Sequence, residues 1–182
     1  MKGNIRTIIL AQILIAVSMG IIGPFYSLYL EKISENLTNV GLLIGFYWII
    51  VGLLEIPSGI LADKIGRKKV FIIGSFLFST SIFLYPFVSN FYQLLLVILL
   101  EAVGHSMQLP SLFALLAEIT KKEKRSTEMG IIDSAWNIVY GIASIIAGIL
   151  TINIGFHAIF GIAGFLHLSS SLIIKNSIKE NI

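Results

Sequence analysis

Apolar residues run through this chain in six long stretches, with the charged positions gathered between them. The stretches cover about 7–30, 40–62, 70–88, 91–119, 129–151 and 157–174. Each is close to or beyond the roughly 20 residues that a helix needs to cross the hydrocarbon of a bilayer. No water reaches backbone N–H and C=O groups in that layer, so runs of this kind must satisfy them internally, as helices. The pattern predicts an all-α polytopic membrane protein with six transmembrane helices, forming one unit over residues 1–182. The third and fourth stretches are joined by little more than Ser89 and Asn90, which makes them antiparallel neighbours. Gly20, Gly23 and Pro24 fall inside the first stretch without ending it, because neighbouring helices can take up the freed backbone groups.

Composition agrees with this reading and narrows it. At 182 residues, 56% hydrophobic and 13% charged, with mean hydropathy +0.92, the chain is too apolar for a soluble domain. The absence of cysteine removes disulfides, thiolate metal sites and thiol chemistry together. No cleavable signal is expected, since the first apolar run is longer than a signal-peptide core and lacks a small-residue cleavage pattern before Glu31. Of the 13 lysines and arginines, all but Lys32 lie on alternate connections, from Lys2 and Arg6 through the second and fourth loops to Lys175 and Lys179. Basic loops stay in the cytoplasm, so both termini are predicted there. The net charge of +3 reflects those loops and implies no nucleic-acid partner.

The second connection, Gly59-Ile60-Leu61-Ala62-Asp63-Lys64-Ile65-Gly66-Arg67-Lys68, places an acid and several bases at a helix–loop–helix boundary. It resembles the signature loop between helices two and three of the major facilitator superfamily of secondary transporters. The run Ile98-Leu99-Leu100-Glu101-Ala102-Val103-Gly104, with Pro110 beyond it, follows the frame of that family's fourth helix. Ile98 stands where many members carry an arginine associated with proton coupling, and Glu101 where they carry glutamine. Glu118, Lys124-Arg125 and Met129-Gly130 resemble the passage from helix four to helix five. Ala143 and Ser144 stand where antiporters carry glycine and proline, with Gly148 retained.

The resemblance implies a secondary transporter of a small solute in the plasma or inner membrane, with no cofactor and no metal. It implies one six-helix half made of two inverted three-helix repeats, completed by a second half from a homodimer partner or a separate chain. The alternative is a truncated or accessory membrane subunit without transport of its own. The resemblance also implies a conformational latch of Gly59, Asp63, Gly66, Arg67, Lys68 and Glu118. Asp63 would face the amino terminus of span five in the other half, where a carboxylate gains about 0.3 to 1 kcal/mol from the helix dipole when exposed. Arg67 would pair with Glu118 or Asp63, the two glycines would allow the turn, and Lys68 would hold nearby carboxylates or lipid headgroups.

Read from the residues themselves, the fourth stretch is the most polar. Glu101, His105 and Gln108, spaced i, i+4, i+7, share one helical face near mid-membrane. Glu101 and His105, one turn apart, could share a proton, and either could bind a proton or a cationic group. Asp133, Asn137 and Tyr140 repeat the spacing on the fifth stretch, with Asp133 nearest the surface and the other two expected deeper, toward a cavity. Tyr26 and Tyr29 read as interfacial belt aromatics, and His167 as facing a neighbouring helix. An enzyme is not expected. Gly104-His105-Ser106 invites comparison with intramembrane serine proteases, but adjacent residues on a helix point about 100° apart, and no Walker-type phosphate loop is present.

Overall fold

The computed structural model describes residues 2–177, with side chains from 6 to 175; the lysines at 2 and 179 lie outside the described side chains. Among the described residues there is no strand, and five helices are long and apolar enough to cross a membrane. They are α1 (Lys2–Ser34), α2 (Leu37–Ile65), α3 (Arg67–Leu84), α4 (Phe91–Ile119) and α5 (Arg125–Ser177). Short 3₁₀ turns at Tyr85–Phe87 and Lys122–Lys124 join the later elements.

The connections are tighter than the hydropathy suggests, because local chemistry lets the helices continue past the apolar boundary. The expected polar loop over 31–39 shrinks to Glu35 and Asn36. Glu35 takes a positive φ of 58°, and the Asn36 side chain accepts from the Thr38 amide at 2.7 Å, capping α2. Between α2 and α3 the break is Gly66 alone, at φ 104°, a conformation that side chains rarely permit. α4 starts on a reciprocal cap. Asn90 accepts from the Gln93 amide at 3.0 Å, and Gln93 Oε1 accepts from the Ser89 amide at 2.9 Å.

The fifth and sixth apolar stretches lie in one 53-residue helical element, interrupted only at Gly155 (φ 76°, ψ 170°). Were α5 straight, Ile132 and Ile174 would stand roughly 60 Å apart. Instead they share one apolar cluster with Ile8, Phe71 and Leu115. The chain therefore doubles back at Gly155, and its two limbs, 125–154 and 156–177, lie side by side. Both limbs hold α1: Ser144 Oγ donates to the Gly20 carbonyl at 3.0 Å, and Ser18 Oγ donates to the Ala163 carbonyl at 2.8 Å.

α1, α3 and α4 form the middle of the bundle. Half of the most apolar stretch of each is buried, against 17% for α2 and for α5. α3 and α4 cross at Gly74 and Gly104, where a Cβ on Gly104 would lie 2.5 Å from the Phe78 amide nitrogen. One core cluster, around Tyr29, Tyr85, Leu94 and Phe160, fills the end nearest the α1–α2 turn. A second, around Ile8, Phe71, Leu115 and Ile174, fills the basic end, and a third, of Ile21, Ala143, Ala147 and Ile159, joins α1 to both limbs of α5.

Candidate functional site

The polar face of α4 forms as its spacing requires, but each residue is bound to a different neighbour. Glu101 is buried, and its Oε2 accepts from the Tyr26 hydroxyl at 3.1 Å and from the Tyr85 hydroxyl. The two hydroxyl oxygens stand 2.7 Å apart, and with Glu101 ionised each gives its one proton to the carboxylate. Tyr29 donates to the Tyr85 carbonyl at 2.5 Å and is only 3% exposed. Tyr26 and Tyr29 therefore turn inward rather than joining an interfacial belt, because a buried carboxylate and a buried carbonyl need their hydroxyls. One turn on, His105 Nδ1 meets the Tyr47 hydroxyl at 2.7 Å, with the two rings stacked 5.8 Å apart. Gln108 Nε2 meets His167 Nε2 at 2.9 Å. Glu101 and His105 are thus engaged with tyrosines of other elements and form no hydrogen bond to each other.

A cavity of about 580 Å³ opens beside this face, between α1, α3, α4 and both limbs of α5. Its polar wall consists of Gln12, His105, Gln108, Asp133 and His167, with the Trp136 ring beside them. The remainder is apolar and includes Ile15, Met19, Phe78, Leu112 and Met129. That size is typical of sites for small organic solutes. Of the six residues expected to face a substrate or proton path, His105, Gln108 and Asp133 line the cavity, while Glu101, Asn137 and Tyr140 do not. Asn137 is exposed and bonds back along its own helix, donating to the Asp133 carbonyl at 2.9 Å and to Asp133 Oδ2 at 3.1 Å. Tyr140 stacks on Trp136 at 5.1 Å and sets its hydroxyl against α1, in the space a side chain at Gly23 would take.

Gln12, Trp136 and His167 join the cavity although spacing alone did not single them out. Gln12 Nε2 and His167 Nδ1 are sealed from solvent and find no hydrogen-bond partner among the described residues. Phe78 stacks on the His167 ring at 4.7 Å and meets His105 edge-on at 5.9 Å, so one aromatic side chain positions both imidazoles. Among the described residues, no cluster of three His, Asp or Glu side chains could hold a metal ion.

The expected latch residues gather at the basic end. Arg67 donates through Nη1 to Glu118 Oε1 and through Nη2 to Asp63 Oδ1 at 3.5 Å. Its guanidinium thus ties the α2–α3 turn to the last turn of α4. Asp63 is largely exposed, Gly66 supplies the turn, and Lys68 follows Arg67 in the first turn of α3. Gly59 faces Pro110, whose Cβ would lie 3.9 Å from a Cβ added there. Arg125 extends the same tie, donating to the Ala117 carbonyl at 2.8 Å and to Thr120 Oγ1 at 3.3 Å.

Comparisons with known proteins agree with this architecture. The model of the Major Facilitator Superfamily matches residues 8–176. An uncharacterized MFS-type transporter of Methanocaldococcus jannaschii is 27% identical over 173 residues, which cover 95% of this chain and 45% of that protein. The inner membrane transport protein YajR of Escherichia coli is 28% identical, over 78% of this chain and 30% of its own. The quinolone resistance protein NorA of Staphylococcus aureus is also 28% identical, over 74% of this chain and 36% of its own. Among solved structures, the POT family transporter PepTSo superposes with a TM-score of 0.76 at 17% identity, covering 95% of this chain and 37% of that one. That last likeness is one of fold. The chain spans less than half the length of these relatives.

Proposed function

The chain belongs to the Major Facilitator Superfamily, and from that premise we propose that it is one six-span half of a secondary transporter for a small solute. It is a multi-pass integral protein of the cell membrane, like the family it belongs to. The reversal at Gly155 supports reading α5 as two spans, which with α1 to α4 would make six. An even number of spans fits both termini on the cytoplasmic side, where the lysines and arginines gather.

The observation that carries the reading is the cavity wall. Gln12, His105, Gln108, Asp133 and His167 converge on one space inside an otherwise apolar bundle. Polar and ionisable groups are costly within a membrane, and where they face a common cavity they mark a solute or ion path. A second six-helix half, from another copy of this chain or a separate chain, would form the opposite wall. The Arg67–Glu118–Asp63 tie then holds the α2–α3 turn rigid, so that the half moves as one body against its partner.

The test is solute flux into proteoliposomes containing the purified chain, with and without an imposed proton gradient. Asp133→Asn is run beside it, because among the described residues Asp133 is the cavity's one carboxylate. Gradient-stimulated flux of at least one solute, reduced tenfold or more by Asp133→Asn, is expected. An accessory membrane subunit without transport of its own is the second reading. Absence of flux for every solute, alone and with co-purified partners, would favour that reading.

A further inference from the structure

Two hydrogen-bonded clusters lie one turn apart on α4, and they differ in the protons they need. At His105 a single contact joins Nδ1 to the Tyr47 hydroxyl at 2.7 Å, and one proton fills it with the imidazole neutral. At Glu101 three oxygens form a triangle. Oε2 bonds to the Tyr26 hydroxyl at 3.1 Å and to the Tyr85 hydroxyl, and the two hydroxyl oxygens stand 2.7 Å apart. That last separation is the ordinary length of an O–H···O bond, about 2.7–2.8 Å. A carboxylate brings no proton, so the two tyrosines supply two protons for three edges. With both directed at Oε2, the edge between the hydroxyls holds none, and lone pairs face each other beside the buried Glu101 and Tyr85. One more proton, taken from water onto the carboxyl group, removes the conflict. One hydroxyl then donates to Oε2, Oε2 donates to the other hydroxyl, and that hydroxyl donates to the first. Every edge carries one proton, and each bond in such a ring strengthens the next.

We infer that Glu101 is a proton-binding site, and that its bound proton closes a ring with Tyr26 and Tyr85 that fastens α1 and the turn after α3 to α4. The titratable groups that face Glu101 are Tyr26 from α1, Tyr47 from α2, Tyr85 from the turn and His105 from its own helix. The second limb of α5 brings an apolar ring, Phe160, against Tyr85 at 5.0 Å. Among the described residues no lysine or arginine pairs with the carboxyl group, so no such cation balances an ionised form. The other oxygen, Oε1, has no hydrogen-bond partner among the described residues and is not sealed, which leaves a surface for exchange. As the coupling ion of the proposed transporter, the proton rests on that reading; as a ligand of this chain, it does not.

The test is the infrared spectrum of the purified chain in a maltoside detergent, which has no carbonyl of its own. At about pH 7 solvent-exposed carboxyl groups are ionised. The parent is nevertheless expected to show the C=O band of a neutral carboxylic acid, displaced in heavy water. Glu101→Gln is expected to remove that band. Tyr26→Phe and Tyr85→Phe, each of which opens the ring, are expected to shift or abolish it. No such band in the parent, a band that survives Glu101→Gln, or a band unmoved by both tyrosine variants would overturn the assignment. If neither tyrosine variant folds, as judged by helical circular dichroism, the parent against Glu101→Gln decides alone. Because the readout is a bound proton and not flux, a chain that shows the band but transports nothing would sink the transporter reading and leave this site standing. Gradient-stimulated flux without the band would do the reverse.

Discussion

Glu101 shows how much one membrane carboxylate depends on its immediate donors. Tyr85 is fully enclosed beside it, and Tyr26 is half-buried at 3.1 Å. Removing the Tyr85 hydroxyl withdraws one of the two donors from a buried carboxylate, so Tyr85→Phe should cost about 1–3 kcal/mol. Tyr26→Phe should cost less, because its bond is longer and its site more open. Glu101→Gln should be milder than Tyr85→Phe, since an amide oxygen still accepts from both hydroxyls. Thermal unfolding of the three variants in one detergent gives the order directly. No loss in either Tyr→Phe variant would mean that the tyrosines stabilise through packing alone. The same scale explains what the sequence could and could not reveal about the site. The face shared by Glu101, His105 and Gln108 follows from helical periodicity and was legible. Their partners were not, because Tyr26, Tyr47, Tyr85 and His167 come from four other segments. Periodicity also gives no means of telling a tyrosine at a membrane interface from one turned inward to a buried acceptor.

At the scale of elements, close packing rather than hydropathy separates the glycines that matter from those that do not. At Gly104 an added Cβ would meet the Phe78 backbone at 2.5 Å, and at Gly74 the Gly104 carbonyl at 2.7 Å, so neither helix can yield without parting from the other. Gly164 differs, since its nearest neighbours are Phe83 ring atoms at 3.1 Å that can swing aside, and Gly141 meets nothing within 4 Å. Gly104→Ala should therefore destabilise by about 1–3 kcal/mol, or more if the helices separate. Gly141→Ala should be neutral or stabilising by up to about 1 kcal/mol through helix propensity. Gly164→Ala should fall between. Unfolding midpoints measured in nanodiscs would rank the three, and a neutral Gly104→Ala would show that α3 and α4 do not cross here. The apolar stretches themselves were legible because each exceeds a membrane's thickness. Their ends were not, since Glu35, Gly66 and Gly155 reverse the chain within one or two residues. The expected loops over 31–39 and 153–156 assumed more room than a capped or glycine-broken helix requires.

Over the whole molecule, the question is what covers the faces that α2 and the first limb of α5 leave bare. Ile49, Leu53, Ile56 and Ile60 form one exposed stripe, and Ile138, Ile142, Ile145, Ile149 and Ile152 form another, each at helical spacing. Lipid could cover either stripe, but it would serve Asp133 and the polar cavity wall poorly. The second six-helix half proposed above would cover all three. If that half is another copy of the chain, native mass spectrometry from a mild detergent should find a dimer. Asp63→Asn should then weaken it or shift its conformation, because the exposed Asp63 carboxylate lies at the basic end, where it would meet the amino terminus of the partner's fifth span. The absence of cysteine allows a control for orientation on the same preparation. Single cysteines at Asn36 and Lys122 should be labelled from opposite sides of sealed vesicles, with Lys122→Cys reached only from the cytoplasmic side. A chain that stays monomeric in every mild detergent, with those labels on the expected sides, would rule out self-pairing without disturbing the topology. The wall facing Asp133 would then have to come from a segment other than a second copy of these six spans.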